Sequence, residues 1–278
     1  MNDLQKQLDD ALKILAVQKK MLSAEHPDLA TSYNNIALTY QDMGSLRKSL
    51  DYGLKALAIR EKTLPPEHPD LATSYNNIAL IYQDMGNLPK SLDYGLKALA
   101  IREKILPPEH LDLARSYNNI ATTYEAMDDF QKSLGFGLKA LAIREKVLPP
   151  EHPNLAQSYN NISATYQIMG DLQKSLDFGL KAMAIAEKIF PPEHLNLATS
   201  YNNMAGAYYH LSKWEQALNF EQKALQILLK ALPFGHPHTQ TAVNSMAVML
   251  NDATKEKGKE WTLPYVKWFL KNCKAYLR

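Results

Sequence analysis

The sequence predicts an all-α protein, a right-handed superhelical solenoid of about thirteen helices stacked as antiparallel pairs. Three observations predict this fold: the chain matches itself at a spacing of 42 residues, apolar residues follow a helical period, and proline or glycine separates the helical segments. A fixed period of this length indicates stacked repeats, because one repeat alone cannot bury its apolar face. The period is clearest in two columns of residues: His26, His68, His110, His152, His194 and His236, and Tyr33, Tyr75, Tyr117, Tyr159 and Tyr201.

The period divides a single repeat domain, residues 1–278, into modules. We expect a leading half repeat, five full repeats, a partial sixth repeat and a C-terminal capping helix, because the ends of a solenoid need polar caps. The expected boundaries are, in that order, 4–23, 24–65, 66–107, 108–149, 150–191, 192–233, 234–252 and 253–278.

The first helix of each repeat, which we call helix A, is predicted by an apolar stripe. In the first full repeat the stripe follows the spacing i, i+4, i+7, i+8, i+11 and i+14, which is one face of an α-helix. Pro27 suits the first turn of this helix, and Gly44 and Gly86 stand where a left-handed residue ends a helix. The stripe consists of Leu29, Tyr33, Ile36, Ala37, Tyr40 and Met43.

The second helix of each repeat, helix B, is predicted from Leu46 to about Lys62 in the first full repeat. Small residues at Ser49, Gly53 and Ala56 let a neighbouring helix approach closely. The Leu-Pro-Pro-Glu-His loop then ends the helix, since proline cannot continue it. The residues expected to cap helix B in the first four full repeats are Ser45, Asn87, Asp129 and Asp171.

The C-terminal part departs from the repeat pattern. Helix B of the sixth repeat should start near Glu256, where Gly258 and Pro264 interrupt the helical pattern. We therefore expect a later helix, either a solubilising cap on the last repeat or, as an alternative, a basic amphipathic helix for a membrane or a partner. The predicted apolar stripe of this helix is Val266, Phe269, Leu270, Cys273 and Leu277. Its predicted solvent-exposed face is Lys267, Lys271, Lys274 and Arg278.

Composition limits the possible functions. With 46% hydrophobic residues the chain can bury a core, and its formal charge of +2 gives no general attraction to nucleic acid or to an anionic membrane. The single cysteine, Cys273, excludes an internal disulfide, and no apolar run reaches the roughly 18–20 residues of a membrane span. Residues 1–22 are too rich in Lys, Asp and Gln for a secretory signal, so we expect a cytoplasmic protein. The start within a repeat favours a piece of a longer protein.

The helical hairpin resembles the tetratricopeptide repeat, and more closely the 42-residue form found in kinesin light chains. The resemblance rests on Tyr-Asn-Asn-Ile-Ala at residues 33–37, on Ala56, on Leu-Ala-Ile-Arg-Glu at residues 57–61 and on His26-Pro27. It covers residues 4 to about 251, and it implies that the A helices line an inner, concave groove. No phosphate loop, nucleophile elbow or metal-binding helix is present, so we expect no catalytic residues, no cofactor and no metal.

Paired asparagines recur in helix A, although asparagine is a mediocre helix former. At roughly 100° per residue the apolar stripe centres near 30°, Asn34 lies near 140° and Asn35 near 240°, so both side chains should face away from the core of their own repeat. An amide can bond both the N–H and the C=O of an extended peptide, which predicts a peptide-binding groove. The two columns are Asn34, Asn76, Asn118, Asn160, Asn202 and Asn244, and Asn35, Asn77, Asn119, Asn161 and Asn203.

The kinesin light chain resemblance implies that the first of these columns contacts cargo peptides. The alternative is that one asparagine of each pair holds the neighbouring repeat or caps a loop, which suits the second column better. The sequence identifies neither the ligand nor the oligomeric state.

Groove positions that vary between repeats should set the ligand specificity. The first two full repeats offer carboxylates to a basic ligand residue, and the third offers Arg115, near Glu125, to an acidic one. The fourth and fifth offer a roomier floor to an apolar or aromatic side chain, between Ala164, Ile168 and Gly206. Further candidate residues at these positions are Gln41, Asp42, Gln83, Asp84, Gln167 and Tyr209.

Two residue columns fit a structural role better than a ligand site. The six histidines occupy equivalent positions on helices about 8–10 Å apart, too far apart to share one metal ion, so we expect them to cap helices or pack in loops. Two lysine columns on helix B fit a solvated outer face better than a phosphate track. These are Lys55, Lys97, Lys139, Lys181 and Lys223, and Lys62, Lys104, Lys146, Lys188 and Lys230.

Two other functions stay open from the sequence. The chain could serve as the sensing or regulatory domain of a larger enzyme or signalling protein, or as an RNA-binding helical solenoid. The second is disfavoured, because the inner positions are mostly Thr, Asn, Gln and Asp and offer neither a basic nor a stacking surface. A protein or peptide partner, without nucleic acid or membrane, is the expectation.

Overall fold

The computed structural model describes residues 3–277, most of which lie in α-helices. The chain divides into two compact units, Met1–Val147 and Leu148–Arg278. The first unit contains α1 (Asp3–Met21), α2 (Pro27–Asp42), α3 (Leu46–Thr63), α4 (Pro69–Asp84), α5 (Leu88–Ile105), α6 (Leu111–Ala126) and α7 (Phe130–Val147). The second contains α8 (Pro153–Ile168), α9 (Leu172–Ile189), α10 (Leu195–His210), α11 (Trp214–Ala231), α12 (Pro237–Lys257), α13 (Lys259–Cys273) and a short 3-10 helix (Lys274–Leu277).

Consecutive helices pack as antiparallel pairs, which confirms the predicted fold class, and residues 3–277 contain no β-strand. The A–B pairs are α2 with α3, α4 with α5 and α6 with α7 in the first unit, and α8 with α9 and α10 with α11 in the second. Each B helix also contacts the next A helix of the same unit, as α3 contacts α4. Successive A helices therefore lie side by side: α2 with α4, α4 with α6, and α8 with α10.

Each of the six A helices begins at a histidine of the recurring column. The histidine Nδ1 atom accepts a hydrogen bond from the backbone N–H two residues later, at 3.1–3.3 Å. This bond satisfies one of the N–H groups that the first turn of a helix leaves without a partner. The histidines are helix caps, as predicted.

The turn from helix A to helix B needs one residue in the left-handed region. Gly44 and Gly86 take it as predicted, with φ of 70° and 73°. The third and fifth full repeats have no glycine at this point, and Asp128 and Ser212 take the same conformation with φ of 59° and 53°. The turn is therefore kept where the residue that favours it is absent.

The predicted caps of helix B are confirmed at three of four positions. The side chains of Asn87, Asp129 and Asp171 each accept a hydrogen bond from the backbone N–H three residues later, at 3.2–3.3 Å. The prediction for Ser45 is wrong, because its side chain makes no capping bond. Its backbone angles are close to those of Asn87, so the missing bond reflects the orientation of the Ser45 side chain and not the path of the backbone.

Each full repeat has an aromatic trio in its core. In the first, the ring of Tyr52 on α3 lies 6.0 Å from Tyr33 and 5.6 Å from Tyr40 on α2, measured between ring centroids. Such pairs add about 0.5–1.5 kcal/mol beyond the area they bury. Close to them the buried Ser49 hydroxyl donates to the Ala37 carbonyl at 2.7 Å, so this small residue brings helix B against helix A.

The C-terminal helices differ from the expected arrangement. The helix α12 continues to Lys257, beyond the expected end of the partial sixth repeat at residue 252. Gly258, with φ of 89°, then allows a sharp turn, and α13 begins at once with Pro264 inside it. Pro264 therefore does not prevent α13 from beginning at Lys259. It lies about one and a half turns from the start of this helix.

The last helix packs on α12. Thr262, Phe269 and Cys273 are its buried residues, at the spacing i, i+7 and i+11 of one helical face. Leu270 was expected in this stripe, but its side chain is 48% exposed because it lies about 100° around the helix from Phe269. The predicted side-chain positions of Leu277 and Arg278 lie outside the described residues.

Candidate peptide-binding surface

The outward faces of the A helices carry the candidate residues. On α2, Thr31, Asn35 and Asp42 are exposed, Asn34 is half-buried, and Leu38 is 38% exposed. This matches the helical angles, since these residues lie opposite the stripe of Leu29 and its neighbours. Because the A helices are neighbours within each unit, these faces form one polar surface in each unit.

In the first unit, four of the six asparagines of the two columns bond to one another between successive repeats, and the side chains of Asn35 and Asn118 make no hydrogen bond within residues 3–277. The Nδ2 atom of Asn77 donates to Oδ1 of Asn34 at 3.0 Å, and Nδ2 of Asn119 donates to Oδ1 of Asn76 at 3.1 Å. Asn76 is only 7% exposed. We call this arrangement the amide ladder, and its members hold neighbouring repeats together.

A second set of polar contacts joins successive A helices near their C-terminal ends. The Nε2 atom of Gln41 donates to a carboxylate oxygen of Asp84 at 2.6 Å, and Nε2 of Gln83 donates to the Thr122 hydroxyl at 3.3 Å. Asp42 is exposed. The carboxylates predicted to face a basic ligand residue are thus present, and one of them already accepts a hydrogen bond.

Arg115 does not lie near Glu125. Both residues are on α6, ten positions apart, which places them about 15 Å apart along the helix axis. The Arg115 guanidinium instead lies 3.0 Å from the carboxylate of Asp112, one turn away on the same helix. Burial raises the pKa of Glu125.

Buried arginines on helix B are the feature that the sequence analysis missed. The Nη1 atom of Arg60 donates to the Ser74 hydroxyl at 2.7 Å and to the Asp70 carbonyl at 3.3 Å. Arg102 donates in the same way to the Ser116 hydroxyl and, at 3.4 Å, to Oδ1 of Asn76. Burial lowers the pKa of both guanidinium groups. A visible signal was the Arg in each Ile-Arg-Glu-Lys segment, which stands on an otherwise apolar face.

In the second unit, the same columns make fewer contacts with the protein. Asn160 donates from Nδ2 to the Ser200 hydroxyl at 3.0 Å, and its buried Oδ1 has no hydrogen-bond partner. Asn202 and Asn203, both half-buried, make no side-chain hydrogen bond within residues 3–277. Asn244, which is exposed, accepts from Gln240 on its own helix. Asn118 and Asn161 are half-buried.

A pocket of about 460 Å³ opens on the polar surface of the second unit. Asn202, Asn203 and Asn244 line one part of it, and Gly206 and Val248 line another. A second group of lining residues comprises Gln167, Tyr209, His210, Thr241, Ser245 and Met249.

Two side chains at the edge of this pocket have close neighbours. The Tyr209 hydroxyl donates a hydrogen bond to the Asp252 carboxylate at 2.7 Å. The pKa of Tyr209 is raised, mainly because of this bond. The amide of Gln167 lies against Gly206, where an added Cβ atom would be 2.5 Å from Nε2. Ile168, one residue further along α8, is 55% exposed.

The lysine columns lie on the outer surface, as expected. Lys62 is paired with Glu25 at 3.2 Å, and the equivalent lysine of each later full repeat pairs with the glutamate of the preceding loop at 3.0–3.2 Å. All these groups are exposed, so each pair contributes at most about 1 kcal/mol. Within residues 3–277 there is no group of three or more His, Cys, Asp or Glu that could hold a metal ion, and no helix there is long and apolar enough to cross a membrane.

Solved structures with this architecture include kinesin light chain-like proteins. A kinesin light chain of Podosopora anserina with nearly identical TPR-like repeats is 27% identical, with a TM-score of 0.65 over 74% of this chain and 97% of that chain. BtubC (BKLC) of P. vanneervenii is 20% identical, with a TM-score of 0.70 over 84% of this chain and 94% of that one. This second likeness shows the fold alone.

A third similar structure is a signal-transduction ATPase (STAND protein) with a tetratricopeptide repeat sensor from Pyrococcus horikoshii. It is 21% identical, with a TM-score of 0.67, and the match covers 89% of this chain and 36% of that chain. This likeness also shows the fold alone. Among curated proteins, none matches this chain.

Family models identify the repeats directly. One tetratricopeptide repeat model matches residues 70–146, 112–188 and 154–230, and another matches residues 29–70. Repeats of this family form protein–protein interaction scaffolds and are generally non-catalytic. The chain belongs to the tetratricopeptide repeat family, and its 42-residue repeats are similar to those of kinesin light chains.

Proposed function

We propose that this scaffold binds an extended segment of a partner protein along the outward faces of its A helices, with the main contacts in the second unit. One observation carries the proposal. The amides of Asn202 and Asn203 line an open pocket and make no hydrogen bond within residues 3–277, whereas those of Asn34 and Asn77 bond to each other.

The chemistry of an amide supports this assignment. One primary amide offers two donors and an acceptor, so it can bond the N–H and the C=O of a passing backbone whatever side chains that backbone carries. Each such bond contributes only about 1 kcal/mol, so useful affinity needs several repeats acting together. A repeat array supplies equivalent groups on successive A helices.

The pocket at Gly206 suits one apolar or aromatic side chain of the bound segment. Its volume of about 460 Å³ lies within the usual range of ligand pockets, and Val248 and Met249 provide an apolar wall. The Gln167 amide lies against Gly206, where an added Cβ atom would be 2.5 Å from Nε2, and so forms part of the pocket wall at this point. The polar rim of asparagines would then hold the backbone on either side.

A peptide array probed with the full chain tests the proposal. The double variant Asn202→Ala/Asn203→Ala should bind a selected peptide about 10- to 30-fold more weakly, which corresponds to the loss of about two hydrogen bonds. Its melting temperature should stay within about 2 °C of the wild type, because these amides hold no other part of the protein.

The matched control is Asn34→Ala/Asn77→Ala, which removes one bonded pair of the amide ladder. This variant should lose about 1 kcal/mol of stability and keep its peptide affinity. Unchanged affinity in the Asn202/Asn203 variant, or a weakening in the control alone, would contradict the proposed function.

A further inference from the structure

One column of helix B controls the space between successive repeats. In the first unit the column carries a buried arginine whose guanidinium crosses to the serine of the next A helix, as Arg60 reaches Ser74 and Arg102 reaches Ser116. The column reads Gln18, Arg60, Arg102, Arg144, Ala186 and Leu228, and the facing column reads Ser32, Ser74, Ser116, Ser158, Ser200 and Ala242.

The two positions without arginine in the second unit differ from each other. At Leu228 the facing residue is Ala242, so both partners are apolar. At Ala186 the facing Ser200 is retained, and so is Asn160, the equivalent of the Asn76 amide that accepts from Arg102. The sequence therefore retains both hydrogen-bond acceptors, Asn160 and Ser200, at the position where the arginine is replaced by Ala186.

A cavity of about 330 Å³ occupies the place of the missing side chain. Ala186 and Phe190 line it from α9, Asn160 from α8, and Asn196 and Ser200 from α10. The Ser200 hydroxyl donates to the Asn196 carbonyl at 3.2 Å and accepts from Asn160. The buried Oδ1 of Asn160 has no hydrogen-bond partner. A buried acceptor without a hydrogen-bond partner destabilises the protein, and a ligand with N–H donors would remove that cost.

The cavity opens on the polar surface of the A helices. Gln157 and Thr199, which line it, are exposed residues of the column that begins at Thr31. A ligand bound along the proposed groove can therefore insert a side chain here from outside.

We propose that this cavity binds the guanidinium group of an arginine side chain in the partner segment. The ligand arginine would take the place that Arg60 and Arg102 occupy from within the protein, with its N–H groups directed at Oδ1 of Asn160 and the Ser200 hydroxyl. This inference rests on the proposed function, since the arginine belongs to the segment bound in the groove.

Arginine fits the cavity better than lysine. The guanidinium is planar, holds its charge on delocalised N–H donors and is less strongly hydrated than an ammonium group, so it can enter a site with neutral acceptors. The internal arginines show such a site, because Arg60 and Arg102 are 8% and 4% exposed and bond to hydroxyl, amide and carbonyl oxygens.

The position of the cavity relative to the Gly206 pocket sets a spacing in the ligand. The two sites are separated by about eight residues along α10 and by one step between A helices, which together give about 15 Å. An extended chain covers this distance in about four to five residues. The preferred segment has an arginine and an apolar or aromatic residue at that spacing.

Titration of the full chain with methylguanidinium chloride tests the cavity without any peptide. The side-chain amide resonance of Asn160 should shift in a saturable manner in the wild type, and methylammonium chloride at the same concentration should bind at least about tenfold more weakly. The variant Ala186→Arg should show no response, because its own guanidinium fills the cavity. No saturable shift, or the same shift with methylammonium or in Ala186→Arg, would overturn the proposal.

Peptides separate this inference from the proposed function. Replacing the arginine of a selected peptide by citrulline, which is neutral and nearly the same shape, should weaken binding about tenfold to the wild type and have little effect with Ala186→Arg. If neither the citrulline replacement nor Ala186→Arg changes the peptide affinity, the arginine site is contradicted and the proposed function is not. A normal methylguanidinium response without any peptide binding would contradict the proposed function alone.

Discussion

The two units use the same repeat in different ways. In the first unit the spaces between repeats are filled by the guanidinium groups of Arg60 and Arg102, and four of the outward amides are joined in the ladder. In the second unit, Ala186 leaves a cavity, and the side chains of Asn202 and Asn203 make no hydrogen bond within residues 3–277. Under the proposed function, one helical scaffold directs its polar groups to its own cohesion in the first unit and to a ligand in the second.

The arginine interface stabilises through hydrogen bonds rather than ion pairs. Each guanidinium is buried against neutral oxygens, and burial lowers its pKa, so desolvation offsets part of the gain. The remaining benefit depends on matched partners on both sides. Loss of one partner is therefore more costly than exchange of both for apolar residues, as at Leu228 and Ala242.

The largest effect at any one pH is expected where this match is broken in the first unit. Arg102→Ala should lower the free energy of unfolding by about 2–4 kcal/mol, because it opens a cavity, leaves the Ser116 oxygen without its donor and removes one of the two donors to Oδ1 of Asn76. Urea unfolding followed by circular dichroism measures the loss. Methylguanidinium should restore part of the stability, and methylammonium should not.

A matched double variant sharpens this test. Arg102→Leu/Ser116→Ala copies the apolar pair found at Leu228 and Ala242, and it should recover at least half of the lost stability. If the double variant is no more stable than Arg102→Ala, the pairing of the two columns has no energetic basis.

The next effect concerns Glu221 in α11, which is fully buried where the four preceding repeats have glycine. Its carboxylate oxygens have no partner, and burial raises its pKa to about 8 from 4.5. The folded state therefore keeps the proton up to higher pH than the unfolded state. The free energy of unfolding should fall as pH rises from about 4.5 to 8, by at most roughly 1.4 kcal/mol per pH unit, and level off above 8.

Glu221→Gln should remove most of this slope, and thermal melts between pH 5 and 9 measure it. Glu215→Gln, at an exposed site on the same helix, should leave the slope as it is in the wild type. An identical slope in the wild type and in Glu221→Gln would show that Glu221 is not the group that titrates.

The smallest effect is expected when an arginine at position 186 fills the cavity between α8, α9 and α10. Ala186→Arg should raise the free energy of unfolding by about 1 kcal/mol, since it supplies a donor to Asn160 and fills the cavity. Ala184→Arg, at an exposed position on the same helix, should change stability by less than about 0.5 kcal/mol. A loss of stability in Ala186→Arg would mean that the second unit does not accommodate the arginine interface of the first.

Much of the fold could be predicted from the sequence because its signals are local and repeated. The histidine caps, the glycine turns and the apolar stripe of helix A each depend on neighbours within a few residues. The outward direction of Asn34 also followed from helical angles. Its bond to Asn77 did not, because that contact depends on how one repeat is placed against the next.

The candidate site was harder to predict for the same reason. Arg60 and Ala186 occupy one column, but only the packing of helix B against the following A helix shows that this column faces Ser74 and Ser200. The prediction that Arg115 lies near Glu125 was wrong because ten residues of helix separate them. Leu270 was misplaced because the register of a single terminal helix has no repeat to confirm it.

The central claim is that the unbonded amides of the second unit receive the partner segment. Its most direct test is a titration of the wild-type chain with an array-selected peptide, in which the side-chain amide resonances of all asparagines are followed. The account predicts that Asn160, Asn202 and Asn203 shift in proportion to the bound fraction while Asn34 and Asn77 stay in place. Shifts confined to Asn34 and Asn77, or no shift of any groove asparagine on saturation, would contradict it.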